Sequence, residues 1–228
     1  MTAAIRQDKN RIRSRVFIVD DHPIVRQGLK LLIDQELDLT VCGEAEDAQA
    51  AMLSIRELKP AIAVIDISLG RDSGIELIKN IKLQHPDLPI LVLSMHDESL
   101  YAERAFRAGA KGYIMKQEAP EKVIIAIRRV LEGNIYVSDA MSGKMLNKLI
   151  YSGRDMLSSP VELLSDREMQ VFKLLGSGLS TRQVADQMHV SIKTVEAYRA
   201  NIKEKLKLKS AAELVHHAIH WVLSGELP

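Results

Sequence analysis

VFIVDDHPIVRQGL, residues 16–29, decides how the first half of the chain folds. Four apolar residues in a row end on two aspartates. Pro23 then opens a segment in which Ile24, Val25, Leu29, Leu32 and Ile33 recur at helical spacing. A strand covered on both faces reads as an unbroken apolar run, and proline is tolerated in the first turn of a helix. The same unit returns along the chain as LTVCG (39–43), AIAVID (61–66), ILVLS (90–94) and GYIM (112–115). Between these runs lie amphipathic stretches, such as Ile75, Leu77, Ile78 and Ile81, and the breaks carry Pro60, Pro86 and Pro89. Strict strand–helix alternation predicts an α/β fold, a doubly wound five-stranded parallel sheet with helices on both faces.

Beyond Gly133 the pattern changes. Residues 134–160 contain glycine and serine-glycine breaks and one short helical stretch, Met141 to Ile150, and read as a linker. Residues 161–228 show helical periodicity only, which predicts a second, smaller all-α domain. The Arg-rich start, residues 1–15, reads as a solvated, flexible tail. Hydrophobic residues at 46% and charged residues at 27% exclude disorder of the whole chain. No apolar run reaches the roughly 18 residues that span a bilayer, so the expectation is a cytoplasmic protein with no membrane partner. The single cysteine, Cys42, sits in an apolar run and reads as a structural thiol in a reducing compartment.

Ligands of a doubly wound sheet bind beyond the carboxyl ends of its strands. Here those ends are polar: Asp20 and Asp21 after the first run, Asp66 after the third, Ser94 after the fourth and Lys116 after the fifth. Three carboxylates in one crevice need a cation or raised pKa values. An oxygen donor set suits Mg²⁺, which keeps several waters and completes its shell with phosphate oxygens. With that ion and the Lys116 ammonium neutralising the cluster, a carboxylate can attack a phosphoryl group. Asp66 is then the nucleophile, Asp20 and Asp21 hold the metal, and the Ser94 hydroxyl donates to phosphoryl oxygens. Asp-Asp-His-Pro is also a sound turn and N-cap, which is a competing account of Asp21 alone. His22 and His96 flank the pocket without a partner at zinc spacing and read as loop or capping residues.

FIVDDHPIVRQGL, VIDISLGRDSGIEL (64–77), VLSMHDE (92–98) and AGAKGYIMKQ (108–117) together make residues 16–133 resemble a CheY-like receiver domain. The resemblance implies that Asp66 is the phosphoacceptor, that Asp20 and Asp21 bind Mg²⁺, and that the backbone carbonyl of Ser68 is a further ligand. It implies a switch role for Ser94 and Tyr113 and a catalytic one for Lys116. Receivers often carry proline four residues after the phosphoacceptor; this chain has Gly70.

In the helical part, Ser165 with Glu168 forms a capping-box pattern, Ser180 opens TRQVADQM, and Ser191 opens IKTVEAYRANIKEKL. The short turn between the last two is helix-turn-helix spacing. From Val161 to Pro228 there are nine Lys/Arg against eight Asp/Glu. Between Lys193 and Lys209, however, six basic residues face two acidic ones. A confined excess of this kind suits phosphate-backbone binding, with helix side chains reading base edges. LSDREMQVFKLLGSGLSTRQVADQM (164–188) and VSIKTVEAYRANIKEKL (190–206) resemble the LuxR-type (FixJ/NarL) DNA-binding domain. That resemblance implies a scaffold helix at 181–188 and a recognition helix at 192–206. It implies DNA contacts from Lys193, Thr194, Ala197, Arg199 and Lys203, with Lys205 near phosphates. Glu196 stands where many members carry lysine. In that family a fourth helix also forms a dimer contact, which implies a homodimer on two half-sites.

The two resemblances imply a two-component response regulator that receives its phosphoryl group from a sensor histidine kinase and controls transcription at promoter DNA. RNA polymerase is a candidate further partner, and no enzyme activity of its own on small molecules is expected. A magnesium-dependent phosphohydrolase would favour an Asp-x-Asp pattern after the first strand, which this chain lacks. A receiver acting as a phosphorylation-independent module would not need Asp66, Ser94 and Lys116 together.

Overall fold

The computed structural model describes residues 13–70, 72–151 and 160–224. The chain divides into two compact units, Met1–Lys148 and Leu149–Pro228. Most of the expected tail and the middle of the expected linker lie outside the described residues.

The first unit runs β1 (Ser14–Val19), α1 (Pro23–Asp34), β2 (Leu39–Ala45), α2 (Ala48–Leu58), β3 (Ile62–Ile65), β4 (Ser68–Leu69), β5 (Asp72–Ser73), α3 (Gly74–Gln84), β6 (Ile90–Ser94), α4 (Glu98–Ala108), β7 (Gly112–Met115), α5 (Pro120–Leu131) and α6 (Asp139–Tyr151). All pairings in the main sheet are parallel, in the order β2-β1-β3-β6-β7. The chain therefore reverses direction beside β1, and the crevice beyond the strand ends opens there. Strand residues alternate between faces. Val16, Ile18, Ile62, Val64, Leu91, Leu93 and Ile114 join Leu29 and Ile33 of α1 and Val123, Ile127 and Val130 of α5 in one buried layer. Phe17, Val19, Ala63, Ile65, Val92 and Tyr113 point the other way and are equally buried.

Three features differ from the sequence reading. β1 begins at Ser14, inside the expected tail. Ser68–Leu69 pairs antiparallel with Asp72–Ser73, and Gly70 takes φ of 56°. Residues 134–148, expected as linker, belong to the first unit: Tyr113 N–H donates to the Tyr136 carbonyl at 2.8 Å, and Tyr136 N–H to that of Lys111 at 3.0 Å. Those bonds add one residue of parallel pairing to the exposed edge of β7. Cys42 is half-buried, and burial pushes its thiol pKa up, against the reactive thiolate.

The second unit holds a 3₁₀ turn (Pro160–Leu163) followed by α7 (Asp166–Gly176), α8 (Thr181–Gln187), α9 (Ile192–Lys205) and α10 (Ala211–Ser224). Ser165 and Ser180 each cap a helix in a full capping box. Ser191 caps α9, and His189 turns the chain between α8 and α9 with φ of 54°. Val171, Phe172, Leu175, Val184, Val195, Ile202, Leu214, Ala218 and Trp221 form the buried interior. Within α10, Leu214, Ala218 and Trp221 seal this core, whereas Ile219 and Val222 stay partly exposed. Among the described residues no helix is long and apolar enough to cross a membrane.

Gly74 sets the position of the third strand end. A Cβ there would lie 1.9 Å from the Asp66 carbonyl oxygen and 2.8 Å from Ile67 Cα, both backbone atoms with little freedom to move. Gly74→Ala is therefore expected to destabilise the first unit by about 1–3 kcal/mol, read as a lower urea midpoint at unchanged slope.

Candidate functional site

The strand ends place the acidic groups as the alternation predicts. Asp20 follows β1 and Asp66 follows β3, and they are 2% and 3% exposed. Lys116, just past β7, reaches both: its Nζ lies 2.6 Å from Asp20 Oδ2 and 2.7 Å from Asp66 Oδ2. Burial pushes the Asp66 carboxyl above its ordinary pKa, and the Lys116 charge offsets that only in part. Burial pulls the Lys116 ammonium down, but Asp66 and Asp20 more than compensate, so its pKa is raised.

The rest of the pocket is built from loops. Asp20 Oδ1 accepts from the His22 amide at 2.9 Å, and the Arg26 guanidinium donates to the Asp20 carbonyl at 2.6 Å. Asp21 Oδ2 accepts from the Gly70 amide at 2.9 Å, which ties the β4–β5 hairpin to the crevice. Ser68 Oγ lies 2.8 Å from His96 Nε2. Ser94 is fully buried and its Oγ accepts from the His96 amide at 3.2 Å. Tyr113, also buried, donates its hydroxyl to the His96 carbonyl at 2.9 Å. Burial drives the Tyr113 pKa upward, so the phenol keeps its proton.

Asp66 Oδ1 is buried with no hydrogen-bond partner. Ligand atoms of Asp20, Asp21, His22 and Asp66 lie within 4.8 Å of one another. An orphaned buried carboxylate oxygen facing two further carboxylates fits a hard divalent cation, whose ligands are oxygens. His22, read from the sequence as a loop or capping residue beside the pocket, lies within this group of ligand atoms. It sits at the N-cap of α1 without capping it, and its Nδ1 is 2.7 Å from Asp21 Oδ1. The only sequence signal for this placement is adjacency to the two aspartates.

In the second unit, Val195 and Ile202 anchor α9 inward. Lys193, Ala197, Ala200 and Glu204 lie on the opposite side of the helix and are exposed, with Asn201 on the flank. Thr194 is drawn back into the Ser191 cap, with its hydroxyl 2.8 Å from Ser191 Oγ. Two of the expected DNA contacts are held by the protein itself. Arg199 donates to Thr181 Oγ1 of α8 and pairs with Glu196 at 3.0 Å. Lys205 lies 2.6 Å from Glu168, a nearly fully buried carboxyl at the capping box of α7. Lys205 is thus a strut that compensates a buried acid, where the sequence suggested a phosphate contact. Burial pushes the Glu168 pKa up, but bonds from Lys205 and Ser165 outweigh it and leave the value lowered.

Comparison with known proteins agrees with this two-part construction. Residues 16–128 match the response regulator receiver domain, and residues 162–218 match bacterial regulatory proteins of the luxR family. The oxygen regulatory protein NreC of Staphylococcus epidermidis is 34% identical over 210 residues, spanning 90% of this chain and 96% of the relative. The chain belongs to the LuxR family of response regulators.

Solved structures similar to the regulator include a LuxR-family two-component response regulator from Aurantimonas (35% identity, TM-score 0.57), which covers 61% of this chain and 99% of that one. Salmonella enterica serovar Typhimurium RcsB, bound to promoter P1flhDC with the phosphomimetic BeF₃⁻, is 27% identical with a TM-score of 0.58. It covers 91% of the regulator and 98% of that chain. RcsB is also known as two dimers on two parallel DNAs (28% identity, TM-score 0.55, covering 93% and 98%). The regulator accordingly joins a receiver to a LuxR-type DNA-binding domain and acts in transcription regulation by two-component signalling.

The raised Asp66 pKa carries a sign for stability. A carboxyl that holds its proton more tightly when folded loses stability as pH climbs from about 4, its unfolded value, through the folded value. Asp66→Asn, which never ionises, is expected to be more stable than wild type at pH 7, with the advantage vanishing below about pH 4. Urea melts of both proteins across that range measure it, and a variant weaker at pH 7 contradicts the assignment of cause. For Lys205→Ala, the expected loss is about 1–3 kcal/mol in unfolding of the helical domain. The salt slope of DNA binding should remain that of wild type, whereas loss of a phosphate contact lowers it by about one.

Proposed function

We propose that Asp66 accepts a phosphoryl group from a histidine kinase and that this event controls promoter binding by the helical domain. The observation that carries the reading is the buried Asp66 carboxyl, with one oxygen on Lys116 and the other unpartnered. In the transfer the Asp66 oxygen forms a bond to phosphorus, and the bond between phosphorus and the kinase histidine nitrogen breaks. Asp20, Asp21, Asp66 and the carbonyl of Ser68 would hold Mg²⁺, which would supply positive charge against the phosphoryl oxygens. Lys116 holds the second side of the phosphoryl group, and Ser94 donates its hydroxyl to a phosphoryl oxygen. Positioning and charge compensation are then the whole of the chemistry.

Residues 16–133 form the receiver, 134–160 the connection and 161–228 the DNA-binding domain in this reading. Lys193 and Ala197 meet DNA from the exposed side of α9, with Thr194 beside the Ser191 cap and Lys203 on the flank. Arg199 joins them only if it leaves Thr181. RcsB, known as dimers bound to DNA, supports a homodimer on two half-sites, with the partly exposed Ile219 and Val222 of α10 available for that contact. RNA polymerase is the partner through which a bound regulator would alter transcription.

A phosphoryl group that met both conformations equally would shift nothing, so Ser94 must make different contacts in the two states. Labelled acetyl phosphate is expected to modify wild type but not Asp66→Asn, and EDTA should abolish the labelling. Phosphorylated protein should bind a promoter fragment about 5–150-fold more tightly at fixed salt. In Ser94→Ala, labelling should survive while that gain shrinks. Equal labelling of Asp66→Asn sinks the site assignment, and equal DNA affinities of the two forms sink the control.

A further inference from the structure

A ring of hydrogen bonds joins the switch residues to the segment that leaves the receiver. Ser94 Oγ accepts from the His96 amide, and the His96 carbonyl accepts from the Tyr113 hydroxyl. Tyr113 in turn donates its own amide to the Tyr136 carbonyl. Two residues on from Tyr136, Ser138 closes the ring against Glu98, which is itself two residues on from His96. The Ser138 amide donates to Glu98 Oε1 at 2.8 Å, and its hydroxyl donates to Glu98 Oε2. Residues 96–98 are therefore tied to residues 136–138 at both ends.

Glu98 is one of the few buried acidic side chains, at 8% exposure, and the chemistry of the phosphorylation pocket does not use it. A buried carboxyl group is tolerated where hydrogen-bond donors meet it, and here both oxygens are met by one residue. That residue has a second task. Ser138 Oγ accepts from the Met141 amide at 3.1 Å, and the Ser138 carbonyl accepts from the Ser142 amide at 2.9 Å. Ser138 thus starts α6, and Glu98 holds the start of α6 to the first turn of α4.

We infer that Glu98 and Ser138 form a clamp that holds the connector helix to the receiver in the unphosphorylated regulator and lets it go on phosphorylation. The inference rests on the phosphorylation-controlled DNA binding proposed above. When Ser94 turns its hydroxyl toward the phosphoryl oxygens, the His96 amide loses the acceptor it has here. The half-buried His96 amide then exchanges that acceptor for another, and residues 96–98 shift with it. Glu98 moves with them. The contacts to Ser138 fit one arrangement of the loop only, and this is the differential interaction that a population shift requires. Glu98 and Ser138 are positioning residues: neither touches Asp66 or DNA.

Linkage gives the clamp two readouts. Whatever weakens it must favour the active form both for DNA and for a phosphoryl mimic, by the same factor. Ser138→Ala removes one donor, and Glu98→Gln keeps the shape of the side chain while removing its charge. In the full chain without phosphodonor, both variants are expected to bind a promoter fragment more tightly than wild type, closing most of the about 5–150-fold gap to the phosphorylated form. Beryllofluoride should bind both more tightly by a matching factor, and labelling of Asp66 should still reach wild-type stoichiometry, which certifies a folded receiver. In wild type, beryllofluoride should speed hydrogen exchange of the amides at 138–142 by about tenfold or more. Wild-type DNA affinities in both variants, or exchange at 138–142 indifferent to beryllofluoride, overturn the clamp. Should wild-type DNA affinity itself ignore phosphorylation, the proposed function fails, and the exchange measurement alone still decides whether the clamp opens.

Discussion

Two acidic side chains, Asp20 and Asp66, sit almost wholly out of water around a single ammonium, that of Lys116. One positive charge stands against two buried carboxylates, and burial, which the Lys116 charge offsets only in part, keeps the Asp66 pKa raised. Much of the first unit can be understood as the scaffold that keeps this arrangement in place. β1 and β3 end at one level and β7 runs two residues further, a register that lets the Lys116 side chain reach back to both carboxylates. Gly74 must lack a side chain for α3 to start against the Asp66 backbone. Arg26 and the Gly70 amide grip the β1–α1 loop and its two aspartates from either side. A site held short of positive charge in this way has a standing affinity for what supplies it, a divalent cation and then the phosphoryl group that the cation helps to hold.

The same strands that converge on the charge also carry its effect outward. Lys116 donates its backbone amide to the Ser94 carbonyl at 2.8 Å, so the ends of β6 and β7 cannot move independently. Tyr113 lies three residues before Lys116 on β7, with its hydroxyl on the β6–α4 loop and its amide on Tyr136. A change of charge at Asp66 therefore acts on Lys116 directly, on Ser94 through the Lys116 amide, and on residues 96–98 and 136 further out. Packed interiors switch between discrete arrangements instead of deforming smoothly, which suits a small movement at Ser94 to a change at the sheet edge.

Where the chain could be understood from its sequence, the cause was periodic or local. Runs such as VFIV and AIAVI declare strands covered on both faces, and the residues ending them are polar because those ends face the crevice. Ser165, Ser180 and Ser191 declare helix starts because capping acts within four residues. What stayed hidden lacks both properties. The β4–β5 hairpin has two-residue strands, too short for any alternation. Tyr136 joins the sheet by a single bridge, so residues 134–138 look like linker although they complete an edge. Lys205 meets Glu168 across 37 positions, and Arg199 meets Thr181 across 18. From composition alone a lysine that faces DNA and one that neutralises a buried capping glutamate look the same.

That last distinction alters how the DNA-binding helix has to work. With Arg199 and Lys205 given to the fold, Lys193, Lys203, Lys207 and Lys209 carry the remaining positive charge between Lys193 and Lys209, and Glu204 lies on the exposed ridge itself. Each neutralised phosphate contributes a roughly equal step in log affinity, so each cation given to the fold lowers the affinity for duplex DNA and the steepness of its salt dependence. Ala197 and Ala200 at the centre of the ridge allow close approach to base edges but bring no charge. A weak module gains most from being held beside a second one, because the second binding event then runs at an effective concentration that no single helix can match. The same limit bears on control: an equilibrium shifted by a typical coupling of about 1–3 kcal/mol changes occupancy of a promoter only when the uncontrolled affinity does not already saturate it.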